Sequence, residues 1–576
     1  MQEGVGALAK TRGVNMCGFI GRVSESKKAD SLLKGLSWLR RRGPDSQRLW
    51  SSSDGRVSLL HARLAIVDKD GSANQPFSDP ETGITVVFVG EIYNYHELKI
   101  SLAHYQFHTE SDTEVIIAAY LNYGVRGLSL LKGMFSLALI DQRQKKVILA
   151  RDPIGKKPLF IARWQNDILF GSSVLALAAV NKQTAGLNHD ILDYYWQESF
   201  IPPYVSALTG VLPVLPGQVL ELDWQGNLLK EGRIEPEKSH IYSGESLDTV
   251  KDTVKSLLEN SVKLRLANNP KPTVLLSGGI DSTLVCAIAD KLCNKKNQSA
   301  GLQVLSLKSF IPLMNDEFYA RFAARRMKVA LRLVRLAMLG LCESAIKALD
   351  LQDEPLGMVS FFLLERLVNA ASRYGRILLS GDGGDEVFLG YGKVADWYSG
   401  GGPDITYKIH LPYGPEIPSW MSDWARKTVT DVLIGHMLTK VDRASAEQGV
   451  EIRCPLLDWD LTGYVRSLPF AILAQGGRSK ALLKDQLYGW PRWFLERPKV
   501  GFAYNLRWHW GLSNYAGLRE TIERRAIDTF ERHIPYALRK NPARWRRRDI
   551  FQNFEACWRL LAWSRFLLRL KEACAD

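Results

Sequence analysis

Two short stretches have the residue types and spacing to do chemistry. The first is Val274-Leu275-Leu276-Ser277-Gly278-Gly279-Ile280-Asp281-Ser282, an apolar run, a glycine pair and a helix start within nine residues. Two glycines let backbone N–H groups approach an anion, and a helix beginning near Asp281 adds the positive end of its dipole. The stretch reads as a phosphate cradle, set against a plain glycine turn in a βα unit. It lacks the Gly-Lys-Ser/Thr ending of a Walker loop, so no lysine in it follows a transferred γ-phosphate, and chemistry at a pyrophosphate is expected instead. The second stretch is Ile377-Leu378-Leu379 running into Ser380-Gly381-Asp382-Gly383-Gly384-Asp385-Glu386, where an apolar strand opens into glycines and three carboxylates. Mg²⁺ prefers such oxygen ligands together with phosphate oxygens. Alone, the stretch would read as a solvated acidic turn; beside a phosphate cradle it reads as the metal side of a nucleotide site.

Around these loops the chain follows two patterns. From Cys17 to about Asp223 the segments are short and β-rich, at 19–23, 84–89, 135–140, 147–150 and 168–170, with helical stretches at 31–40 and 112–123. Stacked sheets with flanking helices are expected. The proline-containing stretch 212–217 and the polar run 231–245 then read as a crossing and a linker, which puts a boundary near residue 235. Beyond it the pattern predicts helix 247–266, strand 273–276, helix 282–292, strand 304–307, helix 317–327, helix 360–374 and strand 376–379. This alternation builds a mostly parallel sheet with helices on both faces, whose nucleotide loops lie at the carboxyl ends of strands.

At 576 residues the chain exceeds one core and calls for two or three domains. Its 46% hydrophobic and 24% charged residues are ordinary for a soluble globular protein. The net charge of +14 raises nucleic acid or an anionic membrane as partners. The basic residues are scattered, however, and the one dense run, Arg544-Trp545-Arg546-Arg547-Arg548, adjoins a helical pattern, so no nucleic-acid partner is expected. Seven cysteines without a CxxC pair favour reduced thiols and a cytoplasmic location. No apolar run of about 18 residues predicts a membrane span, and the first 15 residues lack the core of a secretory signal. The last helical pattern, 550–570, puts Phe554, Trp558, Leu561 and Leu568 on one face, which suits docking on its own domain better than lying on an anionic membrane.

The loop 277–282 by itself resembles the signature of the N-type ATP pyrophosphatases, which split ATP to AMP and pyrophosphate while adenylating a substrate. Taken in order with 380–391, Lys440-Val441-Asp442-Arg443, Pro455-Leu456-Leu457-Asp458 and Arg497-Pro498-Lys499-Val500-Gly501-Phe502, it resembles the glutamine-hydrolysing asparagine synthetases of the B type. Met16-Cys17-Gly18-Phe19 is similar to the start of a class II glutamine amidotransferase, followed by Arg42-Gly43-Pro44-Asp45, His61-Ala62-Arg63-Leu64, Gly90-Glu91-Ile92-Tyr93-Asn94, Ser111-Asp112-Thr113-Glu114 and Arg151-Asp152-Pro153-Ile154-Gly155. The resemblance runs from Cys17 to about Leu570. It implies a leader or overlong start over 1–16 and a class II glutamine amidotransferase domain over 17–235, an α/β fold with the αββα sandwich of stacked antiparallel sheets of N-terminal-nucleophile (Ntn) hydrolases. Over 236–576 it implies a synthetase domain, doubly wound and mostly parallel, of the adenine nucleotide alpha hydrolase type. The implied activity is ATP-dependent: a carboxylate, aspartate by family, is adenylated, and ammonia from glutamine crosses inside the protein to displace AMP.

Carried over residue by residue, the resemblance makes Cys17 the nucleophile once its α-amine is free. Such an amine, with a pKa near 8, can take the thiol proton itself. Translation from Met16 with methionine removal would free it, and a retained leader would block it. Arg63, Glu91 and Asp112 would hold the charged ends of glutamine, and the Gly90 N–H would serve the oxyanion. Leu275, Ser277, Gly278, Gly279, Asp281, Ser282, Ser380 and Gly381 would border ATP. Asp281 and Asp385 would carry Mg²⁺ and Lys499 would face pyrophosphate. Asp382 and Glu386 would either face the amine nucleophile or cap their loop, and a homodimer is left open. Two departures stand out. Val89 replaces the asparagine of the family's Asn-Gly-Glu, and losing one oxyanion donor costs about 10² to 10³ in kcat, so weak glutaminase or use of free ammonia is expected. Around Ser306-Leu307-Lys308-Ser309-Phe310 a lysine stands near the family's glycine, which leaves another acceptor open, a sugar acid or a peptide side chain. His61 is expected to be a buried hydrogen-bonding group rather than a base, and Cys454 a small core hydrophobe.

Overall fold

The structure is a computed structural model. It describes residues 17–25, 28–40, 42–43, 45–63, 73–235, 240–267, 272–295, 301–308, 316–335, 341–391, 427–446, 448–497, 524, 527–532, 534 and 554–575. The β-rich runs of the N-terminal part form β1 (Gly18–Val23), β2 (Ser46–Ser51), β3 (Val57–Arg63), β4 (Phe77–Asp79), β5 (Ile84–Ile92), β6 (Gly133–Asp141), β7 (Lys146–Arg151), β8 (Phe160–Trp164), β9 (Asp167–Gly171), β10 (Leu212–Pro213), β11 (Gln218–Asp223) and β12 (Leu228–Arg233). They pair as two six-stranded sheets, β10-β8-β9-β1-β3-β2 and β12-β11-β7-β6-β5-β4, with antiparallel neighbours.

Because side chains alternate across a strand, each sheet feeds two cores. Phe19, Leu59, Val87, Val89 and Phe170 fill the space between the sheets. Their neighbours Ile20, Leu60 and Leu169 turn outward to the helix Val174–Val180. Val86, Phe88 and Leu137 turn outward from the other sheet to the helix Thr113–Tyr123. Helix, sheet, sheet and helix therefore stack in the implied αββα order.

In the second part, β13 (Thr273–Leu275), β14 (Gln303–Leu307), β15 (Leu331–Val334), β16 (Ile377–Leu379) and β17 (Glu451–Arg453) make a parallel sheet in the order β15-β14-β13-β16-β17. The chain winds out to β15 and returns on the other side of β13 as β16. The winding reverses between β13 and β16, and ligands bind beyond the carboxyl ends of strands at such a point. The stretches 277–282 and 380–386 are what follow those two strands.

Three expectations are corrected. The stretch 31–40 is a 3₁₀ segment, Ala29–Gly35, continued by the short helix Leu36–Arg40. Leu32 and Gly35, three apart and eclipsed in that winding, are its buried positions. Glu231 to Arg233 are not linker but the end of β12, paired with β11. As an edge strand with almost no buried side chain, β12 carries no apolar alternation to betray it. The helix Phe554–Ala575 docks on both domains, not only its own. Phe554, Trp558 and Leu561 join the core of the parallel-sheet domain, whereas Trp563, Phe566, Leu567 and Leu570 pack beside Val174–Val180. Leu568 is turned away, 43% exposed, and Arg569 is buried over the Trp38 ring. Among the described residues no helix is long and apolar enough to cross a membrane.

Candidate active sites

Cys17 stands just ahead of β1, half-buried, and packs against the same intersheet core as Val89. Its carbonyl accepts the Arg42 Nε–H at 3.2 Å. Arg63 ends β3, buried, and donates to Asn74 Oδ1 at 2.7 Å. Gly90 sits in β5 with φ of +145°, and a Cβ there would stand 1.8 Å from the Met134 carbonyl oxygen, so only glycine fits. Val89 beside it is 1% exposed and supplies an isopropyl group to the core where an amide donor would serve an oxyanion.

Two carboxyls meet near this end of β5. Asp112 precedes the helix Thr113–Tyr123 and accepts the Ile92 N–H at 2.9 Å. Burial pushes its carboxyl up to about 6, Glu451 adds to this, and hydrogen bonds from Ile92 and Ser111 oppose it. Glu91 is pushed well above the usual carboxylate range, first by burial and then by Glu451, with Arg453 opposing. His61 is fully buried; burial pulls its imidazole down to about 3, so it is a poor base near neutrality.

On the parallel sheet, Ser277 Oγ lies 3.0 Å from Ser282 Oγ and accepts the Gly279 N–H at 3.3 Å, which folds the first loop back onto the helix Ile280–Lys295. A Cβ at Gly381 would stand 2.5 Å from Ser282 N, so that glycine lets the second loop close on the first. Ser380 donates its N–H to the Arg453 carbonyl at 3.1 Å. Leu275 is buried in the sheet core beneath. Glu386 is buried and accepts the Tyr391 hydroxyl within its own loop. Asp382 is half-buried and acts electrostatically on Cys454, whose buried thiol is pushed up to about 11. Cys454 is thus the core residue expected.

Lys480 is one residue of the site that no motif in the sequence marks. Its Nζ pairs with Asp281 and with Asp385, the latter at 2.7 Å, so it binds the two loops together. Burial favours its neutral form, but the two carboxylates more than reverse that and hold it above the ordinary lysine range. Lys480 stands in left-handed backbone, φ 53°, just before the short helix Ala481–Asp485, and no motif in the sequence around it points to this role. Lys499 lies outside the described residues. Arg497, two positions earlier, reaches Asp316 at 3.4 Å and lies over the Tyr319 ring. Among the described residues no group of three or more His, Cys, Asp or Glu side chains is arranged to hold a metal ion. Asp281 and Asp385 form a two-carboxylate set, which fits the way Mg²⁺ shares its shell with substrate phosphates.

The two sites are tied through the domain interface. Asp152 accepts the N–H groups of Lys156 and Lys157, each at 3.1 Å, and so turns both lysines toward the second domain. Lys156 Nζ donates to the Leu457 carbonyl at 2.7 Å. Asp442 takes Lys157 Nζ at 3.3 Å and Arg42 Nη2 at 2.9 Å, which links a helix of the second domain to the residue bonded to the Cys17 carbonyl. A cavity of about 60 Å³ lies in this interface, walled by Arg42, Arg151, Lys156, Glu354, Asp442 and Arg443 among others.

Residues 16–231 match the glutamine amidotransferase domain family, and residues 253–405 and 418–563 match the asparagine synthase family. The chain is 25% identical over 573 residues to asparagine synthetase (glutamine-hydrolyzing) 1 of Bacillus subtilis, covering 86% of this chain and 88% of that one. It is 27% identical over 498 residues to the asparagine synthetase (glutamine-hydrolyzing) of Gallus gallus, covering 80% and 79%. It is 28% identical over 388 residues to amidase chry2 of Gibberella zeae, covering 63% and 55%. With a glutamine amidotransferase domain ahead of its nucleotide-loop domain, the chain belongs to the asparagine synthase family.

Proposed function

We propose that the chain is a glutamine-dependent asparagine synthetase working through two domains, 17–235 and 236–576. The aspartate side-chain carboxylate attacks the α-phosphorus of ATP, pyrophosphate leaves, and an aspartyl-adenylate forms. Glutamine and water give glutamate and ammonia at Cys17; ammonia then attacks the adenylated carbonyl, and AMP leaves with asparagine formed. The observation that carries this reading is the convergence of Asp281, Asp385 and Lys480 beyond the carboxyl ends of β13 and β16. Ser277, Gly278, Gly279, Ser282, Ser380 and Gly381 cradle the phosphates, with Leu275 below them. Asp281 and Asp385 would hold Mg²⁺, which when bound would offset the charge on leaving pyrophosphate. Lys480 supplies a fixed positive charge in the same place. Arg63, Glu91 and Asp112 receive glutamine, and Gly90 donates to the oxyanion. A cytoplasmic setting goes with this reading, supported by a sequence of seven cysteines without a CxxC pair.

The test is pyrophosphate release from ATP across a panel of aspartate, a sugar acid and a peptide carboxylate, run with glutamine and then with saturating ammonia. Aspartate-dependent release is expected, with AMP formed one for one. With Val89 beside Gly90, the glutamine-driven rate is expected to fall below the ammonia-driven rate by about 10² or more. Release with another carboxylate and none with aspartate would replace the acceptor. Equal rates with the two nitrogen sources would remove the argument from Val89.

A further inference from the structure

Arg453 ends β17 in the second domain, yet its guanidinium works across the interface. Its Nη2 lies 3.2 Å from Glu91 Oε2, its Nε donates to Glu451 Oε1 at 2.6 Å and its Nη1 donates to the Arg265 carbonyl at 3.0 Å. The side chains of Arg453, Glu91 and Glu451 are 3%, 10% and 4% exposed. Tyr93, two residues beyond Glu91, presents its ring to both Arg453 and Arg265, with guanidinium carbons 5.3 and 4.5 Å from the centroid. The backbone of Arg453 faces the other site, where its carbonyl accepts the Ser380 N–H. A planar, permanently charged fork with several fixed partners has little freedom, so it sets the orientation of the carboxylate it holds.

We propose that Arg453 is a positioning residue of the glutamine site, orienting Glu91 from the neighbouring domain for the α-ammonium group of glutamine. This rests on the reading that Glu91 receives glutamine. A carboxylate accepts at two oxygens, so the ion pair at Oε2 leaves Glu91 able to take a second cation at Oε1. Burial, Glu451 and Asp112 all push the Glu91 carboxyl toward its neutral form, while Arg453 and Lys157 oppose them. Removing Arg453 takes away both the fork that fixes the direction of the Glu91 carboxyl and the largest charge opposing its neutral form.

The test is a double-mutant cycle on the glutamine dissociation constant, measured by titration calorimetry on the full chain with Cys17→Ala to stop turnover. Arg453→Gln and Glu91→Gln are each expected to weaken binding about tenfold or more, and the double variant to be no weaker than Glu91→Gln alone, because one residue acts through the other. Arg453→Lys, which keeps the charge but not the planar fork, should recover only part of the loss, and Arg453→Met replaces Arg453→Gln in the cycle should the latter fail to fold. Binding within twofold of the parent in Arg453→Gln, or losses that multiply in the double variant, would overturn the role of Arg453 alone. A parent chain that binds no glutamine would overturn the underlying reading of Glu91 as well.

Discussion

Lys480 and Lys499 show the difference between what a residue's type announces and what its position decides. Lys499 stands in a recognisable sequence context, yet Lys480 is the ammonium that spans Asp281 and Asp385, acting across 199 residues of chain on the first of them. Nothing local marks such a residue. The glycine stretches 277–282 and 380–386 were legible because their chemistry is local: glycines, a strand before and a helix start after. Cys17, Gly90 and Asp112 are proposed from ordered motifs, whereas Arg453 has no such pointer, because its partner Glu91 lies in another domain. Replacing Lys480 with Gln leaves two carboxylates crowded at the phosphate cradle without their cation. Pyrophosphate release driven by saturating ammonia is expected to fall by about 10² or more, with Arg at this position retaining part of the activity. A Lys480→Gln chain releasing pyrophosphate within about threefold of the parent would remove Lys480 from the proposed machinery.

At the level of elements, alternation within strands and the run of strand and helix beyond residue 240 gave away most of the fold. Val86 to Val89 alternate between two cores, which is why β5 could be read from apolar residues alone. What stayed hidden were elements whose partners are remote, such as β12 on its edge and the far half of the helix Phe554–Ala575. Trp563 is 2% exposed and its ring lies 5.2 Å from that of Tyr195, in the first domain. The Tyr195 hydroxyl in turn donates to the Arg559 carbonyl at 2.7 Å. Removing a buried tryptophan costs the lost transfer energy plus a cavity, about 3 to 5 kcal/mol, so Trp563→Ala should lower the urea midpoint by that equivalent. A helix docked on its own domain alone would leave Trp563 at the surface, where truncation changes stability by only about 0.5 kcal/mol. A loss that small would return the helix to the position first expected of it.

Across the whole molecule, the interface is built from buried ions, Asp442 with Arg42 and Lys157 and Glu91 with Arg453, and from one buried imidazole, while a second imidazole is buried inside the first domain. His436, on the segment Lys427–Leu438, stacks at 15° on Phe200 of the first domain, and burial, with Lys440 adding to it, holds its pKa down to about 3. His61 lies within β3 at a similar value, for the same main reason of burial. Both folded values lie below the 6.5 of an unfolded histidine, so between pH 3 and pH 6.5 the unfolded chain binds more protons. The stability that neutral burial contributes is therefore complete above about pH 6.5 and drains away as pH falls toward about 3, at roughly 1.4 kcal/mol per pH unit for each histidine. Asp112, raised to about 6, works in the opposite sense, because its folded form binds the extra proton. The informative comparison is thus between parent and variant at two pH values rather than across pH in the parent alone. Between pH 7 and pH 5 the parent should lose about 2 kcal/mol more, by urea unfolding, than a His436→Leu chain, and a similar excess over His61→Leu. If parent and variants lose the same stability over that interval, the two imidazoles are already charged in the folded protein, and burial does not keep them neutral.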